Sequence, residues 1–329
     1  MLKSMFSGVS GLRAHQNKMD VIGNNIANVN TIGFKSGRTT FKDSIYQNLY
    51  GSSDGNNVYG GSNPSQIGYG SQVSAISVDF STGSYEPTGI GTDCMIDGNG
   101  FFIVGPKLSE DEMTDGVSNE VDANQISQFY LTRVGEFTID GDGYLVDANK
   151  NVVYGFVPDN AAIGTADITD GMETTGDGDN ITFANLKPIR LPVATDDANE
   201  SPEITYDDEE RLNLTSISID SNGVISGTGP NGNTYKFGIV AVCNVTNPNA
   251  LQNSGNSYYK AVSNTGTLQA FQQGEGTTGI LRSSCLEMSN VDLATEFSNM
   301  ITTQRGFQAC SKMITVSDEM LEELVNMKR

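Results

Sequence analysis

Histidine is almost absent from this chain of 329 residues: His15 stands alone. One imidazole cannot build an HExxH site or most zinc and dinuclear centres. A Cys–His or Ser–His nucleophile pair would have to recruit that same residue from the far N-terminus. No P-loop occurs, and neither a GxGxxG nor a GxSxG spelling lies between a strand signal and a helix signal. Cysteine is limited to Cys94, Cys243, Cys285 and Cys310 with no CxxC pair, so neither a zinc site nor a small disulfide framework is expected. Positive charge is also scarce. Lys and Arg number 19 against 40 Asp and Glu, a formal net charge of −21, which excludes nucleic acid and anionic membranes as partners because both require clustered cations. No apolar run approaches the ~18 residues of a membrane span. The N-terminus lacks a secretory h-region, its apolar residues being interleaved with Lys3, Arg13, Gln16 and Lys18. The expectation is a chain without catalytic role or cofactor, and one that keeps its N-terminus if it leaves the cell.

Two terminal segments carry helical periodicity that the interior lacks. In the first, Met5, Val9, Leu12, Met19, Ile22 and Ile26 recur at steps of three, four or seven, which predicts one apolar stripe. Asn and Gly in the run from Asn28 to Gly33 are expected to close that helix in left-handed conformations. In the last segment, Leu293, Met300, Phe307, Ile314 and Leu321 fall at every seventh residue, widened by Phe297, Cys310, Met313, Met320 and Leu324. A heptad of that length predicts coiled-coil packing. Asn290 and Asp292 are candidate N-caps, and Glu296 suits the first turn. Either stripe alone would describe a buried globular helix. A stripe at each end, with nothing comparable between, predicts that the two helices pair.

The charge is uneven. Residues 1–42 hold Lys3, Arg13, Lys18, Lys35, Arg38 and Lys42 against Asp20 alone, so the acidity belongs mainly to the middle. From about Gln72 strands begin. Three stretches read as hairpins with Asp-led turns: 94–104 around Asp97-Gly98-Asn99-Gly100, 136–146 around Asp140-Gly141-Asp142-Gly143, and 216–225 around Asp220-Ser221-Asn222-Gly223. Tyr235 to Val245 reads as a buried central strand. Residues 158–212 are acidic and interrupted by prolines, with only 180–193 strand-forming. The predicted class is therefore α+β. Residues 1–30 and 288–329 form a coiled-coil-like assembly domain, and 31–71 an extended linker. Residues 72–157 and 213–287 form a β-rich body, with 158–212 an acidic insertion or outer lobe.

Asp140-Gly-Asp142-Gly and Asp177-Gly-Asp179 resemble the start of a calcium loop. An EF-hand needs Gly at position 6 and a bidentate Glu at 12. Counted from Asp140 those positions hold Leu145 and Asn151, so turns are favoured over a metal site. An extracellular calcium-binding or adhesive β module stays as a distant alternative. His15 reads as a helix-contact residue. The cysteines read as small buried hydrophobes, with Cys243, near Lys236 in sequence, the candidate for a cross-link.

Two motifs carry a family resemblance. Ser7-Gly-Val-Ser-Gly-Leu12, Gln16 to Asp20, and Ile22-Gly-Asn24-Asn25-Ile26-Ala-Asn28-Val-Asn30-Thr-Ile-Gly33-Phe34-Lys35 resemble the N-terminal signature of bacterial flagellar axial proteins, the rod, hook and hook-associated subunits. Ser289 to Phe297, Met300-Ile301 and Gln304 to Gln308 resemble the matching C-terminal signature. The stretches 40–43, 63–70 and 95–102, with Leu131-Thr132-Arg133 and 246–251, are more similar to hook proteins than to the distal rod protein. The resemblance spans nearly everything but 158–212. It implies terminal helices forming the inner tube of a helical homopolymer and β domains forming its outer layers. The implied polymer is a curved joint passing torque from motor to filament. The implied partners are further copies, the rod, the hook cap, the hook–filament junction proteins and the flagellar export apparatus, with an extracellular location reached without a cleaved signal. A rod subunit is the nearest alternative.

Overall fold

The computed structural model describes residues 2–55, 60–107, 128–158, 161–164, 186–193, 202–204, 211–266, 268–274 and 277–327. The fold is α+β: an N-terminal and a C-terminal helix flank a mainly β body. The chain divides into two compact units, one of residues 1–29, 35–79 and 291–329, the other of residues 30–34 and 80–290.

The first unit holds helix α1 (Leu2–Ala27) and helix α2 (Leu293–Met327). Its remaining residues, expected in part as an extended linker, form a long antiparallel ribbon. Strand Gly37–Asp43 pairs Ser71–Val78, and Tyr46–Tyr50 pairs Ser65–Gly68. The two ladders join through Ser44 N–H to Gly70 O at 2.8 Å and Tyr69 N–H to Ile45 O at 3.0 Å. The pairing is non-local, which glycine-rich composition concealed. The strand expected near Gln72 thus belongs with the helices. Two contacts press the ribbon against α1. Buried Asn25 donates to Gly37 O and accepts from Gly37 N–H, both at 2.9 Å, so its amide acts as one more strand rung. Gly70, at φ 104°, lies so close that a Cβ would stand 2.0 Å from Ser10 Oγ.

The second unit is built on a 14-stranded antiparallel sheet. Its strands Phe101–Gly105 and Val152–Phe156 are buried at every position because both faces are covered. Along Phe101–Gly105, Phe101 and Ile103 join one core cluster while Phe102 and Val104 join the other. Side chains in a strand alternate between faces, so a continuous apolar run is what such a position requires. Two of the expected hairpins form: Phe137–Ile139 pairs Leu145–Asp147, and Ser216–Ile219 pairs Val224–Thr228. The expected central strand is present as Thr234–Val240 and Val242–Val245.

The hairpin expected at 94–104 does not form. Cys94–Asp97 pairs Ile280–Ser283 in a separate ladder, while Phe101–Gly105 enters the large sheet. Gly98 and Gly100 (φ 122° and 130°) turn the chain between sheets where a side chain has no room. A Cβ at Gly100 would sit 2.3 Å from Val242 Cγ1. Of the expected strand 180–193, residues 180–185 lie outside the described residues. The described pieces of 158–212 do not stand apart from the body. Ala161, Ile189, Leu191 and Ile204 are part of the main core, and Lys187–Pro188 pairs Val152–Phe156.

One buried ion pair ties this unit together. Arg133 and Glu287 are both buried, with Nη1 to Oε2 at 3.4 Å. Arg133 also donates to Gly98 O at 2.8 Å and Ile96 O at 3.3 Å, and lies over the Phe101 ring. Glu287 accepts from Gly83 N–H at 2.9 Å, and its backbone O accepts from Gly33 N–H at 2.8 Å. Desolvation lowers the Arg133 pKa, and Glu287 opposes that shift. Removing one partner leaves a buried charge uncompensated. Arg133→Met is therefore expected to destabilise the β unit by about 3–5 kcal/mol, with Arg133→Met/Glu287→Leu losing clearly less, read by thermal unfolding of the β signal.

Candidate functional site

The candidate site is the α1–α2 pair. Asp292 caps α2: its Oδ1 accepts from Ala294 N–H at 3.0 Å, and its Oδ2 accepts from Thr295 Oγ1 at 2.5 Å. The Thr295 hydroxyl, then the Ala294 amide, holds its carboxyl below the ordinary carboxylate range. Asn290, the other expected cap, instead donates to Ser81 Oγ at 3.1 Å. At the same end of the antiparallel pair, α1 stops at Ala27 with the Asn28 amide donating to Asn24 O at 2.9 Å. Gly33 (φ 67°) is the only left-handed residue in the expected closing run.

The helices run antiparallel, with glycines of one helix receiving side chains of the other. A Cβ on Gly8 would lie 3.2 Å from Ile314 Cγ1, on Gly11 2.9 Å from Cys310 Sγ, and on Gly306 2.7 Å from His15 Cε1. The fully buried positions along the pair are mostly small or polar: Gly8, Gly11, Ala14, Ile22 and Asn25 on α1, with Thr303 and Ser317 on α2. Both hydroxyls are satisfied within their own helix, Thr303 Oγ1 donating to Asn299 O and Ser317 Oγ to Met313 O, each at 2.7 Å. They can therefore be buried without an orphaned donor. Hydrophobic-periodicity reasoning missed this seam because its template skips Gly, Thr and Ser. The visible signal was the spacing itself, Gly8, Gly11 and His15 against Thr303, Gly306, Cys310 and Ser317.

The large apolar residues consequently face outward or sit at the margins. On α1, Ile22 is buried, Met5, Leu12, Met19 and Ile26 are half-buried, and Val9 is exposed. On α2, Met300, Ile314 and Leu321 are half-buried, whereas Leu293, Phe297 and Phe307 are exposed, Phe297 by 50%. Ile301 (59%), Met313, Val316, Met320 and Leu324 are exposed as well. The heptad is therefore split: Ile314 meets α1 at Gly8, while Leu293 and Phe307 stand on the exposed side. Asn25 is the motif residue that bonds the ribbon. Asn24 and Asn30 are exposed, Asn28 and Phe34 are half-buried, and buried Gly33 belongs to the β unit.

His15 lies at the seam with its ring edge-on to Phe41, the centroids 5.8 Å apart. Desolvation and then Lys18 lower its pKa. Cys243 is fully buried in its strand, and burial pushes its thiol far above the ordinary range, which opposes cross-linking of the folded chain. Asp140 Oδ1 accepts from Gly141 N–H at 2.7 Å, a turn bond rather than a free ligand position. Asp177 and Asp179 lie outside the described residues. Among the described residues no three His, Cys, Asp or Glu side chains gather as a metal set, and no helix is long and apolar enough to cross a membrane.

Because Gly11 has no room for a side chain beside Cys310 Sγ, Gly11→Leu is expected to weaken the helix pair by about 1–3 kcal/mol. Gly23→Ala, a helix-interior position with nothing within 4 Å of the new Cβ, is expected to stabilise α1 by up to about 1 kcal/mol. Thermal unfolding of the helical signal, with limited proteolysis inside 2–27, separates the two.

Two family models match the chain ends: a flagella basal body rod protein model over residues 5–35 and a flagellar basal body rod FlgEFG protein C-terminal model over residues 282–327. The chain is similar over its whole length to the flagellar basal-body rod protein FlgG of Bacillus subtilis, at 38% identity over 330 residues, covering 100% of both. It is similar to the flagellar hook protein FlgE of Borreliella burgdorferi at 29% identity over 460 residues, again covering 100% of both. With the hook protein FlgE of Caulobacter vibrioides it shares 44% identity over 117 residues, 36% of this chain and 20% of that one.

Proposed function

The chain belongs to the family of flagellar basal-body rod and hook proteins, and from that premise we propose that it is a structural subunit of the flagellar hook. It polymerises through its terminal helices into a tube that transmits torque from motor to filament. The observation that carries polymerisation is the outward apolar face of the helix pair, and the placement in the hook rests on the resemblance at 40–43, 63–70 and 95–102. A pair that seals its own seam with Gly8, Gly11, Thr303, Gly306 and Ser317 leaves Phe297, Ile301, Phe307 and Met320 in solvent. A soluble monomer has no use for so large an apolar surface. Neighbouring copies cover it, and head-to-tail contact without closure makes a filament. The acidic middle suits a surface kept in bulk solvent. The chain acts as scaffold and not as catalyst. It is exported to the cell exterior through the flagellar export apparatus without cleavage, and meets the rod, the hook cap and the junction proteins at the ends of its polymer.

A second reading, a rod subunit, draws on the full-length similarity to the Bacillus subtilis rod protein. Purified hook–basal bodies separate the two. The hook reading expects this chain as the dominant protein of curved hooks, and its confinement to straight rods would refute that placement.

Assembly is expected to depend on α2. Deleting residues 293–329 should abolish polymerisation in a sedimentation assay while the β signal and its unfolding transition persist. Phe307→Asp should act in the same direction by placing a charge where a neighbour's apolar surface must sit. Loss of the β transition together with assembly would count against separable units.

A further inference from the structure

Within the helical unit one groove and one ridge are complementary and lie on different faces. The groove, about 450 Å³, runs between α1 and the strand Ser71–Val78; its lining includes Phe6, Val9, Arg13, Ala14 and Val73. Phe6 and Val9 are exposed, and Arg13 is the one charged residue of the lining. At ~100° per residue, Phe6, Val9, Arg13 and Asn17 fall on the side of α1 away from the Gly8, Gly11 and His15 seam. The ridge lies on the C-terminal half of α2. Met313, Val316, Met320 and Leu324 are all exposed and recur at steps of three and four, so they form one stripe. Glu319 and Glu323 stand beside it, and no basic residue occurs between Lys312 and Met327.

We propose that the groove on α1 of one subunit receives the Met313–Leu324 ridge of a second copy, with Arg13 pairing Glu319 or Glu323. This rests on the reading of the chain as a polymerising subunit and says which faces meet. Three observations select a second copy as occupant. The groove carries a positive charge in a segment rich in Lys and Arg, whereas the ridge carries acids, so the two faces attract. Phe6, Val9, Ala14 and Val73 in the groove offer apolar contact to a ridge whose own contact residues are apolar and whose acids stand beside it. A subunit cannot fill its own groove, because α2 already occupies the opposite side of α1. Groove and ridge being different patches, each docking leaves one of each unfilled at the ends of the pair. The contact is heterologous and propagates.

A charge swap in the full-length chain tests this. Arg13→Glu and Glu319→Lys/Glu323→Lys lie on exposed surface, and far-UV circular dichroism should show unchanged helix. Each is expected to raise the critical concentration for sedimentable polymer about tenfold. The combined variant should return it to near the wild-type value. An equal mixture of the two defective proteins should also assemble, since each groove then finds a ridge of opposite sign. Wild-type polymerisation is the control. If it proceeds and the variants match it, or if neither the combined variant nor the mixture recovers, the docking is wrong while the polymerisation reading stands. If the wild type forms no polymer, both fall.

Discussion

The glycine contacts between α1 and α2 are the constraint on which the helical unit depends. Gly8, Gly11 and Gly306 leave room for Ile314, Cys310 and His15 of the facing helix and for no side chain of their own. That fit keeps most of the bulkiest residues of α2 off the contact line. The same choice that seals the pair therefore creates its outer surface, and Phe297, Ile301 and Met320 are exposed because Thr303, Gly306 and Ser317 are inside. Asn25 and Gly70 extend this logic to the ribbon, bringing the 37–43 and 71–78 strands against α1 by one amide and one missing side chain. That ribbon is also what forms the second wall of the α1 groove.

In the β unit the comparable fixed point is the Arg133–Glu287 pair. It reaches Gly83, Ile96 and Gly98 by side-chain bonds and Gly33 through the Glu287 backbone. Gly33, Gly83 and Glu287 lie near the places where the chain enters or leaves the unit, and Arg133 ties them to the turn at 96–98. A buried ion pair contributes little net stability against an apolar replacement. Its effect here is geometric: it places the turn at Gly98 and the strand Cys285–Glu287 in one arrangement. The turn that looked like a hairpin is held open by Arg133, and the strand before it is free to pair with Ile280–Ser283 instead.

What was legible in the sequence follows from how local each signal was. Helix existence was written in periodicity, and the turns at Asp140 and Asp220 in four-residue motifs, so all of these were readable. The ribbon was not, since Gly37 meets Val78 across a loop of forty residues and no local pattern encodes that register. The 97–100 turn misled because Asp-Gly between apolar runs marks a hairpin only when the flanking strands pair with each other. The heptad spacing marks the apolar stripe of α2 but does not say which members face inward: Ile314 meets Gly8 of α1, whereas Leu293 and Phe307 are exposed. Small residues score near zero on any hydrophobic scale, and they form the actual seam.

The exposed face has a thermodynamic consequence. Fully burying one large apolar side chain stabilises by about 1.5–3 kcal/mol, so covering the roughly half-exposed remainder of half a dozen on α2 is worth on the order of 5 kcal/mol before the cost of association. That is a substantial fraction of the whole stability of a typical domain, about 5–15 kcal/mol. Binding that selects the paired conformation raises its stability in proportion to the concentration of partners. On the proposed assembly, helix order and polymerisation are one equilibrium, with the glycine seam setting the geometry and the outer apolar face supplying the driving force. The β unit, with its own buried core clusters, does not share that dependence.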